Sequence, residues 1–187
     1  MRSIDAVITW VDGSDKEYKK RLEKHLTTPT NYKKQYLQAN EIEYCVKSIL
    51  KFAPFVRKIF IITDSQKPSF SGLEDLIVSN KVKVVDHKEI FRGYEKYLPT
   101  FNIRSIDAVL HRIEGLSEMF VYFNDDVFLI NKIREEDWFV KNKAVLMGKW
   151  ATSYSISPFK VLSGTIKKLF GLRPSFNASQ SKAANIS

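Results

Sequence analysis

The chain has 187 residues, of which 44% are hydrophobic and 27% are charged. This length and composition fit one α/β domain with a real core and exclude a disordered or fibrous protein. The only cysteine, Cys45, excludes an internal disulfide and a thiolate zinc site, and its helical position indicates a buried small side chain. No stretch approaches the roughly 20 apolar residues of a membrane-spanning helix, and the first residues lack the apolar run of a signal peptide. We therefore expect a cytoplasmic protein.

The net charge of +9 is unevenly distributed along the chain. All 21 acidic residues lie within residues 1–137, whereas residues 138–187 carry only basic charges. We predict an α/β domain over 1–150 and a basic tail over 151–187. Within the tail, Pro158–Leu172 has the pattern of a short basic amphipathic helix, which either lies on the inner face of the membrane or packs on the domain. A solvated tail is an equally good interpretation.

Strands and helices alternate along the first 139 residues. In chain order, the pattern predicts a strand over Ile4–Val11, a helix over 15–26, a helix over Glu41–Phe52 capped by Asn40, strands over Lys58–Thr63 and Lys81–Val85, a helix over Asn102–Ile113 and a strand over Met119–Phe123. This alternation predicts a single, mostly parallel, Rossmann-like sheet with flanking helices.

Each predicted strand is followed by an aspartate. These residues are Asp12, Asp64, Asp86 and the pair Asp125 and Asp126. The carboxyl ends of parallel strands share one edge of the sheet, where ligands bind, so we expect these carboxylates along that edge. Together they would repel one another unless a cation neutralised them. Taken singly, each is more typical of a turn or a helix cap.

The adjacent carboxylates of Asp125 and Asp126 are the sharpest local signal. Mg²⁺ is commonly held by one or two carboxylates, with phosphate oxygens completing its coordination. We therefore predict these two residues as ligands of Mg²⁺ or Mn²⁺ that neutralises a diphosphate. The alternative is a structural Asp-Asp step after a strand.

Two other segments carry candidate site residues. Thr9, Trp10, Asp12 and Gly13 combine an aromatic ring, a carboxylate and a glycine that permits close backbone approach, as a nucleotide pocket requires; the alternative is a core tryptophan beside an Asp-Gly turn. His111 and Arg112 offer a proton donor and a phosphate clamp, or a cap for a helix C-terminus. The sequence has no Gly-rich phosphate loop.

These segments together resemble the Stealth family of sugar-1-phosphate transferases. The first conserved block of that family is similar to residues 4–15, and the second is similar to residues 40–138. The second resemblance includes 52–64, 97–102, 111–118 and the Tyr122-Phe123-Asn124-Asp125-Asp126-Val127-Phe128 segment. Glu43 and Lys47 stand where the family usually has arginines. The family's third and fourth blocks are not present, so we expect the chain to be the front part of such an enzyme.

The resemblance implies transfer of a hexose-1-phosphate from a nucleotide diphosphate sugar to a sugar hydroxyl in capsule or exopolysaccharide synthesis. It implies that Thr9–Gly13 contact the nucleotide, that Asp125 and Asp126 hold the metal, and that His111 and Arg112 join them in catalysis. Two alternatives stay open: a metal-dependent glycosyltransferase, and a truncated domain that only binds nucleotide sugar. The expected partners are the donor, a polysaccharide acceptor and the membrane surface. Nucleic-acid binding is not expected, because the basic tail has few interleaved aromatics.

Overall fold

The computed structural model describes residues 3–25 and 39–147. Residues up to Asp137 belong to one compact unit, and Trp138 begins a second. The predicted domain boundary at residue 150 and the predicted helix over 158–172 lie outside the described residues. Among the helices of the described ranges, none is long and apolar enough to cross a membrane.

Four parallel strands form the sheet of the first unit. They are β1 (Ile4–Thr9), β2 (Ile59–Thr63), β3 (Val82–Asp86) and β4 (Met119–Asn124), in the spatial order β3-β2-β1-β4. All three strand pairs are parallel. The four strands match those predicted from the alternating pattern, and the α/β, mostly parallel fold class is confirmed.

Among the described residues, five α-helices lie between the strands of this sheet and a sixth follows β4. They are α1 (Lys16–His25), α2 (Glu41–Phe52), α3 (Leu73–Val78), α4 (His87–Ile90), α5 (Ile103–Asp107) and α6 (Glu135–Trp138). Single-turn 3-10 helices occupy Glu95–Tyr97 and Leu110–Arg112. In the second unit, β5 (Phe139–Val140) and β6 (Lys143–Ala144) form an antiparallel hairpin.

Two sequence predictions about helices are wrong. The predicted helix over Asn102–Ile113 is broken, because the β-branched Val109 leaves the helical region with φ −114 and ψ 2 before the 3-10 turn begins. Ile106, Leu110 and Ile113 are nevertheless buried, whereas Ile103 is 44% exposed. Asn40 precedes α2, but it has a left-handed backbone (φ 64) and its side chain makes no capping bond; its Nδ2 donates to Glu43 instead.

Each face of the sheet is buried. On one face, side chains of β1, β2 and β3 pack against the segment between β3 and β4; this cluster consists of Val7, Phe60, Ile62, Val85, Ile90, Phe91, Ile106, Leu110 and Ile113. The alternate residues of β1 and β2 are also fully buried: Ala6, Ile8, Ile59 and Ile61. Burial on both faces explains why β1 and β2 consist mainly of apolar residues, with the buried Asp5 as the charged exception in β1.

The strand order creates a switch point between β1 and β4. From β1 the chain proceeds to β2 and then β3 on one side, and it then returns to place β4 on the other side of β1. Connections therefore diverge at the carboxyl ends of β1 and β4, which leaves a crevice there. The fold thus places the end of β1, at Thr9, beside the end of β4, at Asn124.

Candidate functional site

A pocket of about 220 Å³ opens at this switch point. Its walls come from the ends of β1 and β4, from α1 and from the segment around α5. The lining residues are Thr9, Trp10, Val11, Tyr18, Ile62, His87, Thr100, Phe101, Ile103, Ile106, Asn124 and Asp125. Aromatic and aliphatic side chains form most of this surface, and polar groups gather at the two strand ends. Such a mixture is typical of a small-molecule site.

Of the residues predicted from the sequence, the pocket brings together Thr9, Trp10 and Asp125. Trp10 is 8% exposed, so its ring belongs to both the core and the pocket wall. Asp125 is half-buried, whereas its neighbour Asp126 is exposed. Asp126 is not among the described residues that line the pocket, although both carboxylates lie close enough to Cys45 to affect its pKa.

Asp12 and Gly13 form the turn that follows β1. The Asp12 Oδ1 accepts hydrogen bonds from the Ser14 backbone N–H at 2.7 Å and from the Ser14 Oγ at 2.6 Å. The Asp12 main chain exchanges two bonds with the Gln66 side chain, at 2.8 and 2.9 Å. Asp12 and Gly13 are thus next to the pocket but outside its described lining, and Asp12 serves the turn directly.

The aspartates lie along one sheet edge as predicted, but they do not need a shared cation. Arg21 of α1 binds Asp64, with 2.9 Å between Nη2 and Oδ2. Asp86 accepts bonds from the Lys88 and Ser65 backbone N–H groups and caps α4. Within residues 3–25 and 39–147 there is no group of three or more potential metal ligands. Protein donors thus already bind Asp64 and Asp86, and the Mg²⁺ or Mn²⁺ predicted at Asp125 and Asp126 stays a prediction.

His111 and Arg112 lie on the 3-10 turn before β4, outside the described pocket lining. The guanidinium of Arg112 lies 4.7 Å from the ring centroid of Tyr94, and its Nη2 donates to the Arg92 carbonyl at 2.5 Å. Arg112 therefore braces the segment between β3 and α5 in this conformation. Its predicted role as a phosphate clamp stays a prediction.

The polar floor of the pocket is a short hydrogen-bond network between β1 and β4. The Tyr122 hydroxyl lies 2.8 Å from the Thr9 Oγ1 and donates to the Asn124 Oδ1 at 3.1 Å. Tyr122 and Asn124 are two residues apart on β4, and Asn124 is the register partner of Thr9, so all three side chains share one face. Burial raises the pKa of Tyr122 to about 12, and the phenol keeps its proton near neutral pH.

Two further titratable groups are held neutral near the site. His87, at the start of α4, is 3% exposed and lines the pocket. Burial lowers its pKa, although the nearby Asp64 and Asp86 partly oppose that effect. Cys45 of α2 is fully buried. Burial is the main cause that raises its pKa to about 12, and the negative charges of Asp125 and Asp126 raise it further in the same direction. Its interpretation as an inert buried side chain agrees with this environment.

Sequence reasoning missed several residues of the site. The rings of Tyr18 and Phe101 pack edge to face, with 5.6 Å between their centroids, and form an aromatic wall. They come from segments that are distant in the sequence, so no local pattern indicates that they lie together. His87 could have been noticed, because it directly follows the aspartate that ends β3. Tyr122 could also have been found, because the alternation of β4 puts it on the same face as Asn124.

A parallel sheet with a ligand pocket at its switch point defines a Rossmann-like α/β domain. Conserved region 1 of the Stealth proteins matches residues 2–26, and conserved region 2 matches residues 35–147. The chain belongs to the Stealth family, and the resemblance seen in its sequence is confirmed.

Several curated relatives are about 40% identical to this chain over the aligned residues. It is 41% identical over 145 residues to a capsular polysaccharide phosphotransferase of Haemophilus influenzae, covering 74% of this chain and 38% of the relative. A capsular polysaccharide phosphotransferase of Actinobacillus pleuropneumoniae is 42% identical over 149 residues, covering 75% and 39%. A receptor polysaccharide phosphotransferase of Streptococcus oralis is 38% identical over 145 residues, covering 74% and 42%. The match thus spans about two-fifths of each relative.

Proposed function

We propose that the chain supplies the donor-binding domain of a transferase that moves a hexose-1-phosphate from a nucleotide diphosphate sugar to a sugar hydroxyl in polysaccharide synthesis. The observation that carries the proposal is the pocket between the ends of β1 and β4, in a chain whose relatives bear the name phosphotransferase. The pocket of this chain combines an aromatic wall with strand-end polar groups, which suits a nucleotide joined to phosphates.

The two sides of the pocket suit different parts of the donor. Trp10, Tyr18 and Phe101 offer aromatic surface for a base or a sugar. Thr9, Asn124 and Asp125 offer hydroxyl, amide and carboxylate groups for the diphosphate and its cation. A volume of about 220 Å³ is below the roughly 300–1,000 Å³ of pockets that enclose a drug-sized ligand. The described pocket therefore accommodates part of the donor.

The residues at the end of β4 fit a single Mg²⁺ or Mn²⁺. Mg²⁺ is usually held by one or two carboxylates together with substrate phosphates, and Asp125 and Asp126 supply that number of carboxylates at the pocket and beside it. They would hold the ion. When bound, it would neutralise the diphosphate and the charge that develops on the departing nucleotide.

The chemistry proposed is an in-line displacement at phosphorus. The acceptor hydroxyl oxygen bonds to the sugar-linked phosphorus, the bond from that phosphorus to the bridging oxygen breaks, and the hydroxyl proton passes to the departing nucleotide phosphate or to solvent. The products are a phosphodiester and a nucleoside monophosphate. The residues of this chain act by position: the aromatic wall orients the nucleotide, and the end of β4 fixes the diphosphate. His111 and Arg112 lie outside the described lining of the pocket, and their part in catalysis stays a prediction.

The nucleotide product tests this reaction against glycosyl transfer. The chain is incubated with Mg²⁺, each of a panel of nucleotide diphosphate sugars and an oligosaccharide acceptor, and the products are resolved by phosphorus NMR. A nucleoside monophosphate with a new phosphodiester signal supports phosphotransfer. A nucleoside diphosphate product would instead indicate glycosyl transfer and contradict phosphotransfer. Donor binding without either product would assign this chain the binding function alone.

A further inference from the structure

The hydrogen-bond network on the pocket floor determines which end of the Asn124 side-chain amide, its carbonyl oxygen or its NH₂ group, faces Tyr122. A neutral phenol has one proton to donate, and the Tyr122 hydroxyl directs it to the Asn124 Oδ1 at 3.1 Å. The Thr9 Oγ1, at 2.8 Å, can in turn donate to the phenolic oxygen. With its carbonyl oxygen bound to Tyr122, Asn124 keeps its NH₂ group for other partners.

This orientation matters because Asn124 lines the pocket and is exposed. An amide that presented its carbonyl oxygen would add an acceptor beside the Asp125 carboxylate, which is itself an acceptor. Phosphate oxygens need hydrogen-bond donors. Held by its Oδ1, Asn124 places donors beside that carboxylate, so one strand end offers both a donor and a cation-binding group.

A competing acceptor stands near the same phenol. Besides burial, the charge of the nearby Asp107 carboxylate on α5 raises the pKa of Tyr122. The Asp107 Oδ1 is buried and has no partner among the described residues. If the phenol donated to Asp107, the phenolic oxygen could accept from the Asn124 NH₂ group, and the amide would then turn its carbonyl to the pocket.

We infer that Tyr122 is a positioning residue, which fixes the Asn124 amide so that its NH₂ group serves as a donor to the phosphates of the bound nucleotide. The inference rests on the proposed function for the identity of the ligand, but the orientation itself is a property of the free protein. Tyr122 acts through Asn124, and the Thr9 hydroxyl supports it from β1.

The direct test is the side-chain amide signal of Asn124 in nitrogen-15 NMR spectra of the free chain, assigned by its loss in Asn124→Asp. Tyr122→Phe keeps the ring but removes the hydroxyl, and we expect it to shift the two amide proton signals of Asn124. Thr9→Val removes the other hydroxyl of the network and should shift the same signals, so it serves as the second variant if Tyr122→Phe impairs folding. Tyr97→Phe, at a tyrosine that is 57% exposed, is the matched control and should leave them unchanged.

Binding of Mg²⁺–pyrophosphate, measured by calorimetry, supplies the second readout. Tyr122→Phe should weaken binding about three- to tenfold, as expected for misplacement of one hydrogen bond, and Tyr97→Phe should not. Asn124→Asp keeps an acceptor for Tyr122 but replaces the NH₂ group by an oxygen, so it should weaken binding at least as much. Unchanged Asn124 signals in Tyr122→Phe would overturn the inference, and so would shifted signals with unchanged pyrophosphate affinity. A wild-type chain that binds no nucleotide sugar would count against the proposed function instead, because the amide signals are read without ligand.

Discussion

Replacing Asp5 with asparagine should markedly destabilise the fold without affecting the pocket. Asp5 is fully buried in β1. Arg57 donates two hydrogen bonds to its carboxylate, from Nε to Oδ1 at 2.9 Å and from Nη2 to Oδ2 at 2.5 Å. Its oxygens also accept the backbone N–H groups of Lys58 at 3.2 Å and Ser117 at 2.7 Å. One carboxylate thus connects β1 to the segments that lead into β2 and β4.

The magnitude follows from what each donor loses. Asparagine keeps one acceptor oxygen but turns an NH₂ group toward donors, and hydrogen bonds to charged groups are worth about 1.5–3 kcal/mol each. Breaking a fully buried ion pair costs about 3–5 kcal/mol, but the Arg57 side chain is 42% exposed and can be hydrated. We therefore expect Asp5→Asn to lower the free energy of unfolding by about 2–4 kcal/mol.

The assay is urea unfolding followed by circular dichroism, with unchanged dependence on denaturant as the sign that the unfolded state is comparable. Glu17→Gln is the control, because the pair of Glu17 and Lys20 has side chains 68% and 66% exposed and should contribute less than about 1 kcal/mol. Ligand affinity should stay unchanged in Asp5→Asn, because Asp5 lies near the amino end of β1, whereas the pocket lies at the carboxyl ends of the strands. A loss below about 0.5 kcal/mol in Asp5→Asn would show that the charge of this carboxylate contributes little to the stability of the fold.

Three further predictions concern the site and its surroundings. Burial lowers the pKa of His87 below its unfolded value of 6.5, so the unfolded state takes up the proton first as the pH falls, and the free energy of unfolding should decrease from pH 6.5 down to the folded pKa. Urea unfolding at pH 7.5 and 5.5 should show a smaller decrease in His87→Gln than in the wild type. Equal decreases would contradict this. Cys45, buried and with a pKa of about 12, should resist iodoacetamide at pH 8 in the native chain and react in urea, as followed by mass spectrometry; rapid native labelling would show an open site. Asp125→Asn should weaken Mg²⁺-dependent donor binding by about tenfold or more. Asp126→Asn should weaken it by less, because of these two carboxylates only that of Asp125 lines the described pocket. A larger effect of Asp126→Asn in calorimetry would indicate that the cation binds outside the pocket.

The sheet could be predicted because its determinants are local. Each strand is a short apolar run that ends at a polar residue, and a βαβ pattern restricts the pairing to a parallel sheet. The positions of Thr9, Trp10 and Asp125 at the ligand edge followed directly. Helices depended on more than periodicity: the chain leaves the helix at Val109, although Ile106 and Leu110 keep the apolar spacing.

The remainder of the site depends on contacts between distant segments. The bond between Thr9 and Tyr122 joins residues 113 positions apart, and only the register of β1 with β4 brings them together. The roles of Asp64 and Asp86 likewise depend on tertiary partners. Arg21 reaches Asp64 from α1, and Asp86 binds the Ser65 N–H after β2. A sequence shows that a carboxylate follows a strand, but it does not show which donor already occupies it.

Thermal unfolding of the chain with nucleotide diphosphate sugars tests whether the pocket between β1 and β4 binds the donor together with a divalent cation. At a hundredfold excess over Kd, binding stabilises the native state by about 2.7 kcal/mol, which corresponds to a rise in Tm of about 5–10 °C for a chain of this size. We expect this rise for at least one donor with Mg²⁺, and a much smaller rise without Mg²⁺ or in Asp125→Asn. No rise with any donor, or an equal rise in Asp125→Asn, would contradict donor binding at this pocket.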